Sequence, residues 1–374
     1  MQILARARAL EAAGRDIVHM EIGEPDFVTP EPVMRAAHAA IEAGRTHYTP
    51  ATGLPELREA IAAHYAAQFG VDVGPGRIVV TPGSSGALQL VLAALVDPGD
   101  GVLLSDPGYP CNRHLVRLAG GEAIPLAVGR QEDFQPTPRQ VAAVLGPRAR
   151  TLFVASPANP TGTLIPPTRL EALLDAVRAH RGTLVVDEIY QGLVYSAPPS
   201  TALALACDDV LVVNSFSKFF GMTGWRVGWV VAPLGLVPVL DRLAQNLFLA
   251  APTVSQHAAL AAFDPETLAI LEERRQVFRQ RRDYLAGALT ELGFEVTARP
   301  DGAFYLYADC ARFTDDSFDL SEALLEEAGV AVTPGRDFGR HGAERHLRFA
   351  YTTSIERLRE GVRRIARFLD RPQA

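Results

Sequence analysis

The sequence contains, at residues 210–221, the stretch VLVVNSFSKFFG, in which an apolar run leads directly into polar residues and a lysine. Short apolar runs of this kind are typical of buried strands in a parallel sheet. Between about residue 50 and residue 235, such runs alternate with helical patterns. We expect strands here at Arg77–Thr81, Gly101–Ser105, Glu122–Leu126, Thr151–Ala155, Thr183–Asp187, Val210–Asn214 and Val227–Val231.

Helical patterns separate these strands. One predicted helix begins at Pro55, because proline is favoured in the first turn, and stops at Gly70. Another runs from Ser85 to Leu95, with apolar residues at three- and four-residue spacing. The alternation predicts an α/β fold with a large domain, in which helices cover a mostly parallel seven-stranded sheet.

The pattern changes after about residue 250, where long, arginine-rich helices precede an α+β arrangement. The predicted elements are helices at Glu266–Leu292, Phe318–Gly329 and Ser354–Leu369, strands at Ala303–Ala308, Val330–Thr333 and Leu347–Tyr351, and an earlier loop at Ser196–Ala206. We therefore expect a large domain over residues 46–280 and a smaller α+β domain over residues 281–374. The N-terminal segment, residues 1–45, is expected to join the smaller domain.

Composition indicates a globular protein, since 48% of the residues are hydrophobic, 21% are charged, and no apolar run approaches the ~20 residues that span a bilayer. The N-terminus lacks the apolar core of a signal peptide, so we expect a cytoplasmic protein. A net charge of −7 disfavours general nucleic-acid binding. The cysteines Cys111, Cys207 and Cys310 stand singly and no His-Glu-x-x-His occurs, so we expect neither disulfides nor a metal site.

Lys218 is the single lysine of the chain, and every other residue among the 36 lysines and arginines is an arginine. An arginine stays protonated, whereas a desolvated lysine can lose its proton and attack a carbonyl group. The retained lysine is therefore a candidate for covalent catalysis, although a single lysine can also survive by chance.

Polar residues follow several predicted strands, at the edge where open parallel sheets bind ligands. The stretch Thr81-Pro82-Gly83-Ser84-Ser85-Gly86-Ala87 opens a helix and suits either a phosphate cradle or a simple helix cap. Asn159 lies in a loop between two prolines, so its amide is either aimed at a ligand or caps a helix. Asp187 ends a buried strand, and a buried carboxylate needs a partner.

Several motifs occur together in a fixed order: Asn159-Pro160-Thr161-Gly162, Asp187-Glu188-Ile189-Tyr190, and Ser215-Phe216-Ser217-Lys218 followed by Arg226. In order and spacing this set resembles the class I/II aminotransferase family, fold type I of the pyridoxal phosphate enzymes. The resemblance extends from Glu21-Ile22-Gly23-Glu24-Pro25-Asp26-Phe27 to Leu347-Arg348-Phe349-Ala350. It implies an enzyme that moves amino groups between L-amino acids and 2-oxo acids, with the cofactor in the large domain.

The resemblance assigns the catalytic roles to Lys218, Asp187 and Tyr190. Lys218 is expected to hold pyridoxal 5'-phosphate as a Schiff base and, once substrate has released it, to move a proton between the substrate α-carbon and the cofactor. Asp187 is expected to keep the pyridine nitrogen protonated. Tyr190 and Asn159 are expected to hydrogen-bond the cofactor 3'-oxygen. Tyr109 is expected to stack on the ring, or else to be an ordinary, partly buried tyrosine.

The resemblance also implies a phosphate site made of Ser84, Ser85, Ser215 and Arg226, in which the arginine supplies a bidentate fork. A structural stacking role is the alternative for Arg226, which follows a tryptophan. Tyr48 matches a tyrosine that reaches the phosphate of the neighbouring subunit in related enzymes. A homodimer is therefore expected.

Arg348 matches the arginine that pairs with the substrate α-carboxylate, helped by the Gly23 backbone and the Asn159 amide. The sequence does not place the residues that select the substrate side chain. Arg113 and Arg117 suit either an acidic side chain or a solvated helix face. Relatives usually carry residues before the segment that resembles Gln2–His19, which bears on how the active site closes.

Three other functions fit parts of the sequence. Residues 215–218 have the Ser-x-x-Lys spacing of β-lactamases, but that class also needs a Lys-Thr-Gly, and no second lysine exists. A catalytically silent cofactor-binding module has no need of Asp187 and Arg348. A carbon–sulfur β-lyase, or another pyridoxal phosphate enzyme of the same fold, uses the same lysine, aspartate and tyrosine, so it stays an alternative.

Overall fold

A computed structural model describes residues 2–205, 208–296 and 300–370 of the chain. Its strands are β1 (Val18–His19), β2 (Ile78–Thr81), β3 (Gly101–Asp106), β4 (Glu122–Ala127), β5 (Ala149–Ala155), β6 (Thr183–Asp187), β7 (Val210–Ser215), β8 (Gly228–Val231), β9 (Glu295–Val296), β10 (Tyr305–Asp309), β11 (Val330–Ala331), β12 (Thr333–Pro334) and β13 (His346–Ala350). Its helices are α1 (Gln2–Ala12), α2 (Glu31–Glu42), α3 (Pro55–Phe69), α4 (Gly83–Leu95), α5 (Pro110–Leu118), α6 (Pro138–Val144), α7 (Pro167–Ala179), α8 (Val237–Leu247), α9 (Thr253–Leu260), α10 (Pro265–Leu292), α11 (Ser317–Ala323) and α12 (Ile355–Leu369). None of these helices is long and apolar enough to cross a membrane.

The large sheet has seven strands in the order β2-β8-β7-β6-β5-β3-β4. Neighbours from β7 to β4 are parallel, whereas β8 is antiparallel to both β7 and β2. Consecutive residues of a strand face opposite sides, so Val185 joins the core on one face and Val186 the core on the other. Helices therefore cover both faces, and the predicted α/β fold with a mostly parallel seven-stranded sheet is confirmed.

The smaller sheets join the two ends of the chain. Strand β1 pairs in parallel with β11, and a four-stranded antiparallel sheet has the order β12-β13-β10-β9. The single strand predicted at Val330–Thr333 is wrong: β11 and β12 lie in different sheets, because the chain turns away from β1 at Val332 to pair with β13. The predicted boundaries at 45/46 and 280/281 stay predictions.

Local sequence explains where several helices end. Gly70 and Gly293 follow α3 and α10 in the left-handed conformation, which costs a glycine little. The helix predicted at Phe318–Gly329 continues α11 through a π-helical turn at Leu324–Ala328. The predicted loop at Ser196–Ala206 contains a short 3₁₀ helix, Ala202–Leu205, and its last residue lies outside the described residues.

The cysteines that the structure describes are unpaired: Cys111 is exposed and Cys310 is buried. Cys207 lies outside the described residues.

Candidate active site

A cavity of about 680 Å³ opens at the edge of the large sheet where β3, β5 and β6 end. Because the carboxyl ends of parallel strands meet at one edge, residues far apart in sequence converge there. The structure brings ten of the predicted site residues to the lining of this active-site cavity: Gly23, Ser84, Ser85, Tyr109, Asn159, Asp187, Tyr190, Lys218, Arg226 and Arg348.

Lys218 lies just beyond β7, with its amine facing into the cavity. Its Nζ donates a hydrogen bond to the carbonyl oxygen of Gly23, at 2.7 Å, and lies 5.8 Å from the centre of the Phe304 ring. Burial among protein atoms lowers the pKa of Lys218 to about 8. A substantial fraction of the amine is therefore neutral near physiological pH, and a neutral amine is the form that attacks carbonyl carbons.

Asp187 is the last residue of β6, and its carboxylate is buried at the cavity wall. Oδ1 accepts a hydrogen bond from the backbone N–H of Ile189 at 3.0 Å. Burial raises the pKa of Asp187 to about 6, and this effect outweighs the opposing influence of Lys218. The site therefore offers a buried carboxylate to a cationic N–H donor, such as a protonated pyridine nitrogen.

Tyr190 is buried, and its hydroxyl lies 3.0 Å from the hydroxyl of Tyr305. Burial raises the pKa of Tyr190 well above its usual value, so the phenol stays protonated and can act as a hydrogen-bond donor. The Tyr305 hydroxyl also closes on Gly23, where any side chain would overlap it. Tyr305 was not predicted, because it lies in a strand and belongs to none of the motifs.

The phosphate site predicted from the sequence has a helix N-terminus at its centre. Ser84 and Ser85 lie in the first turn of α4, whose free N–H groups and dipole favour an anion. The guanidinium of Arg226 packs against Gly83 so closely that a Cβ there would overlap it. Arg226 Nη1 also donates to the carbonyl oxygen of Thr223 at 2.9 Å, which orients the fork.

Ser215 lies apart from the cavity lining. Its buried hydroxyl donates to the carbonyl oxygen of Val227 at 3.0 Å and lies 2.9 Å from the Ser217 hydroxyl. Ser217 itself lines the cavity and accepts a weak bond from Arg226 at 3.4 Å. The structure thus places Ser217 on the cavity side and Ser215 behind it.

Arg348, on β13, crosses from the small sheet to the cavity. Its guanidinium donates to Asn159 Oδ1 at 3.0 Å, to the carbonyl oxygen of Glu21 at 2.5 Å and to Thr333 Oγ1 at 3.2 Å. It also stacks at 4.2 Å from the centre of the Tyr305 ring. These contacts hold a planar cation in place beside Asn159, as the binding of a carboxylate requires.

Two aromatic residues differ in where they lie. Tyr109 lines the cavity directly before α5 and is 40% exposed, consistent with a ring that covers a flat ligand. Tyr48 is 82% exposed and lies outside the cavity of its own chain.

Nearly the whole chain matches one known protein family. This family is described as aminotransferase class I and II, and the match covers residues 15–365.

The chain belongs to this family.

Relatives of this aminotransferase align with nearly its whole length. It is 40% identical to the valine–pyruvate aminotransferase of Mycobacterium tuberculosis over 370 residues, which cover 99% of this chain and 95% of that protein. It is 39% identical to the aspartate/prephenate aminotransferase of Thermus thermophilus, with 98% and 94% covered. The crystal structure of an aminotransferase from Mycobacterium tuberculosis superposes with a TM-score of 0.94 at 39% identity, with 99% and 95% covered. The aminotransferase therefore uses pyridoxal phosphate, as its family does.

The residues of the cavity fit this cofactor. Asp187 is a buried carboxylate that has one described hydrogen bond, so it has capacity for a ring N–H. The first turn of α4 and Arg226 fit a phosphate, and Lys218 fits an aldehyde.

The sequence did not indicate several further residues that line the active-site cavity of this aminotransferase. Helix α1 contributes Gln2, Ile3 and Leu4, and the loop after β12 contributes Phe338. These residues belong to none of the recognised motifs. The pairing of β1 with β11 and the course of the chain after β12 bring them to the cavity.

Proposed function

We propose that this aminotransferase binds pyridoxal phosphate covalently through Lys218 and exchanges amino groups between an L-amino acid and a 2-oxo acid. The observation that carries the proposal is the position of the single lysine. Its amine, with a lowered pKa, shares one cavity with the buried carboxylate of Asp187 and the held guanidinium of Arg348.

Bound pyridoxal phosphate supplies an aldehyde carbon for the amine and a ring that accepts the electron pair left when the substrate α-carbon loses its proton. Asp187 holds a proton on the ring nitrogen, because a buried carboxylate is stabilised by a cationic partner. The Tyr190 hydroxyl, kept protonated by burial, donates a hydrogen bond to the ring oxygen. Ser84, Ser85, Ser217 and Arg226 bind the phosphate, while Ser215 positions Ser217 from behind.

Lys218 then serves as the general base and acid. With the cofactor and substrate bound, its free amine would take the proton from the substrate α-carbon and would hold it for return. A pKa near 8 suits both directions, because a group titrating close to ambient pH gives and accepts protons at similar cost.

Arg348 and Asn159 bind the α-carboxylate of the substrate and fix its orientation. Holding that carboxylate places the α-carbon near the amine of Lys218. The proton transfer then takes place between groups that are already close and correctly oriented. The names of the relatives pair valine with pyruvate and aspartate with prephenate, so we propose apolar and acidic amino acids as the first substrates to test.

We also propose a homodimer in which Tyr48 reaches the phosphate of the partner subunit. Support comes from the 82% exposure of an aromatic residue that lies outside its own cavity. The cytoplasmic location predicted from the sequence stays a prediction.

The decisive experiment uses the single lysine. The purified protein is mixed with pyridoxal phosphate, reduced with borohydride and mapped by mass spectrometry. We expect one pyridoxyl label on Lys218, and an absorbance band that shifts when amino acids are added. The Lys218→Arg variant should lose both the label and amino transfer. Normal amino transfer by this variant would contradict the mechanism, and release of ammonia with a 2-oxo acid in the absence of an acceptor would favour the β-lyase alternative.

A further inference from the structure

A second cavity, of about 380 Å³, lies beside the active-site cavity. Six residues line both cavities and so form the boundary between them: Tyr109, Arg113, Ala155, Asn159, Arg336 and Phe338. We call the second one the arginine cavity, because its lining includes Arg113, Arg117, Arg336 and Arg340.

The four arginines come from two sides of the arginine cavity. Arg113 and Arg117 lie one turn apart on α5, so their side chains leave the same face of the helix. Arg336 and Arg340 lie on the loop that follows β12. Like charges at this spacing repel one another, so the arrangement gains stability when an anion lies between them.

Hydrogen bonds hold the loop that carries Arg340 against the end of β3. Asp106 Oδ1 accepts hydrogen bonds from the backbone N–H groups of Arg340, at 2.9 Å, and His341, at 3.3 Å. Gly339 packs against the same carboxylate, and a Cβ there would overlap it. Among the described residues that line the cavity, Asp106 is the one carboxylate, and these backbone groups already occupy it.

Only part of the positive charge in the arginine cavity is matched by carboxylates of the described residues. Arg336 pairs with Asp316 at 2.7 Å, and Arg113 donates to the carbonyl oxygen of Asp337 at 3.0 Å. Within residues 2–205, 208–296 and 300–370, the guanidinium groups of Arg117 and Arg340 form no ion pair. Two exposed guanidinium groups that form no ion pair with the described residues therefore line this cavity, beside a carboxylate that backbone N–H groups already occupy.

A buried amide gives an independent indication of a ligand. Asn112, on α5, lines the arginine cavity and is only 8% exposed, and its Oδ1 has no hydrogen-bond partner in the described part of the chain. Buried polar atoms without a partner are rare, because each one loses its hydrogen bond to water without replacement. The two ends of an amide exchange by a half-turn, so Asn112 can offer its N–H bonds to an anion.

We propose that the arginine cavity binds an anionic carboxylate or phosphate group. The anion can be the far end of a substrate side chain that reaches past Tyr109 and Phe338. In that case the proposal rests on the proposed function and extends it to the class of substrate. The guanidinium group can bind either carboxylate or phosphate, because both present two acceptor oxygens to its paired N–H groups. A free phosphate ion has the same chemistry and is the other source of the anion.

The test compares substrates that differ only in the anionic group: L-glutamate with L-glutamine, and O-phospho-L-homoserine with L-homoserine. The ratio of kcat/KM within each pair is measured at constant ionic strength for the wild-type holoenzyme and for the double variant Arg117→Gln/Arg340→Gln. We expect the ratio to fall about tenfold or more for at least one pair. Arg139→Gln, which removes an exposed arginine from α6, is the matched control and should leave the ratio unchanged.

A calorimetric titration of the same holoenzymes with inorganic phosphate separates the two sources. If the kcat/KM ratio falls in the double variant, the anion belongs to the substrate side chain. An unchanged ratio with phosphate binding that only the double variant loses identifies a site for free phosphate. An unchanged ratio with phosphate binding equal in both proteins, or absent from both, overturns the proposal.

Two further controls keep the outcomes distinct. If none of the four amino acids is turned over, the proposed function fails on these substrates, and the phosphate titration still decides whether the cavity binds anions. Circular dichroism and thermal unfolding establish that the double variant is folded, and the two single variants replace it if it is not.

Discussion

At the scale of single residues, Arg348 is the side chain whose removal has the most specific expected effect. Replacing it by lysine keeps the charge but removes the fork that contacts Asn159, Glu21 and Thr333. Hydrogen bonds to charged groups contribute ~1.5–3 kcal/mol, so we expect KM for amino acids to rise by about tenfold or more in Arg348→Lys. Steady-state kinetics check this, and an unchanged KM would show that the carboxylate binds elsewhere.

The buried carboxyl group of Glu188 is expected to make the free energy of unfolding depend on pH. Its carboxyl group accepts hydrogen bonds from the Ala202 N–H at 2.6 Å and the Thr201 hydroxyl at 2.9 Å, yet burial raises its pKa from 4.5 to about 8. Between these two pH values the folded protein holds a proton that the unfolded chain has released, so this group favours the folded state at low pH and loses that contribution as pH rises towards 8.

The variant Glu188→Gln isolates this effect, because its amide keeps an acceptor for Ala202 and a donor for Thr201. We expect its midpoint of thermal unfolding to fall less between pH 5 and pH 9 than that of the wild type. Glu171→Gln, on the exposed side of α7, is the control and should follow the wild type. Parallel pH profiles for the wild type and Glu188→Gln would show that Glu188 does not titrate in this range.

At the scale of elements, helix α1, which contributes to the lining of the active-site cavity, is linked to β1 by a histidine between two carboxylates. His19 Nδ1 lies 2.7 Å from Glu21 Oε1, and its Nε2 lies 3.0 Å from Glu11 Oε1 on α1. The hydrogen bond with Glu21, more than any other contact, raises the pKa of His19 to about 9. The stabilisation is therefore complete below about pH 6.5 and is lost as pH rises through 9.

We expect the amides of α1 to lose hydrogen-exchange protection between pH 7 and pH 10, after correction for intrinsic exchange rates. In His19→Gln, protection should be low at both pH values, because the cation is missing throughout. His38→Gln, an exposed histidine on α2, serves as the control. Equal protection of α1 in the wild type and His19→Gln would mean that other contacts hold this helix, namely the apolar packing of Ile3, Ala7 and Leu10 and the ion pair of Arg6 with Glu326.

At the scale of the whole molecule, the proposed dimer can be tested through its active sites, because each site would need residues from both subunits. Tyr48→Ala and Lys218→Ala should each be nearly inactive alone. In a mixed dimer, the chain that keeps Lys218 meets the Tyr48 of its partner, so one complete site forms. Mixing and reannealing equal amounts should restore about a quarter of wild-type activity, since half of the dimers are mixed and each has one good site. No recovery would place the action of Tyr48 within its own chain.

The sequence alone was sufficient for the large sheet and for ten of the residues that line the active-site cavity. Apolar strand runs that end in polar residues leave few alternatives, because a buried strand must be apolar and the residue after it reaches the open edge. The single lysine identified Lys218 because no other side chain of the chain offers a neutral primary amine. Family motifs then accounted for Asp187, Tyr190 and Arg226.

Only the tertiary structure decided which further residues join them. Helix α1 reaches the cavity because β1 pairs with β11 across more than 300 residues, a contact that no local pattern encodes. Tyr305 and Thr333 reach it because β10 and β12 both pair with β13, the strand that carries Arg348. Side-chain packing decided that Ser217 lines the cavity while Ser215 lies behind it. The sequence left Arg113 and Arg117 undecided between an acidic ligand and solvent. The return of the chain after β12 places Arg336 and Arg340 opposite them, since hydrogen bonds to Asp106 hold that loop against the end of β3.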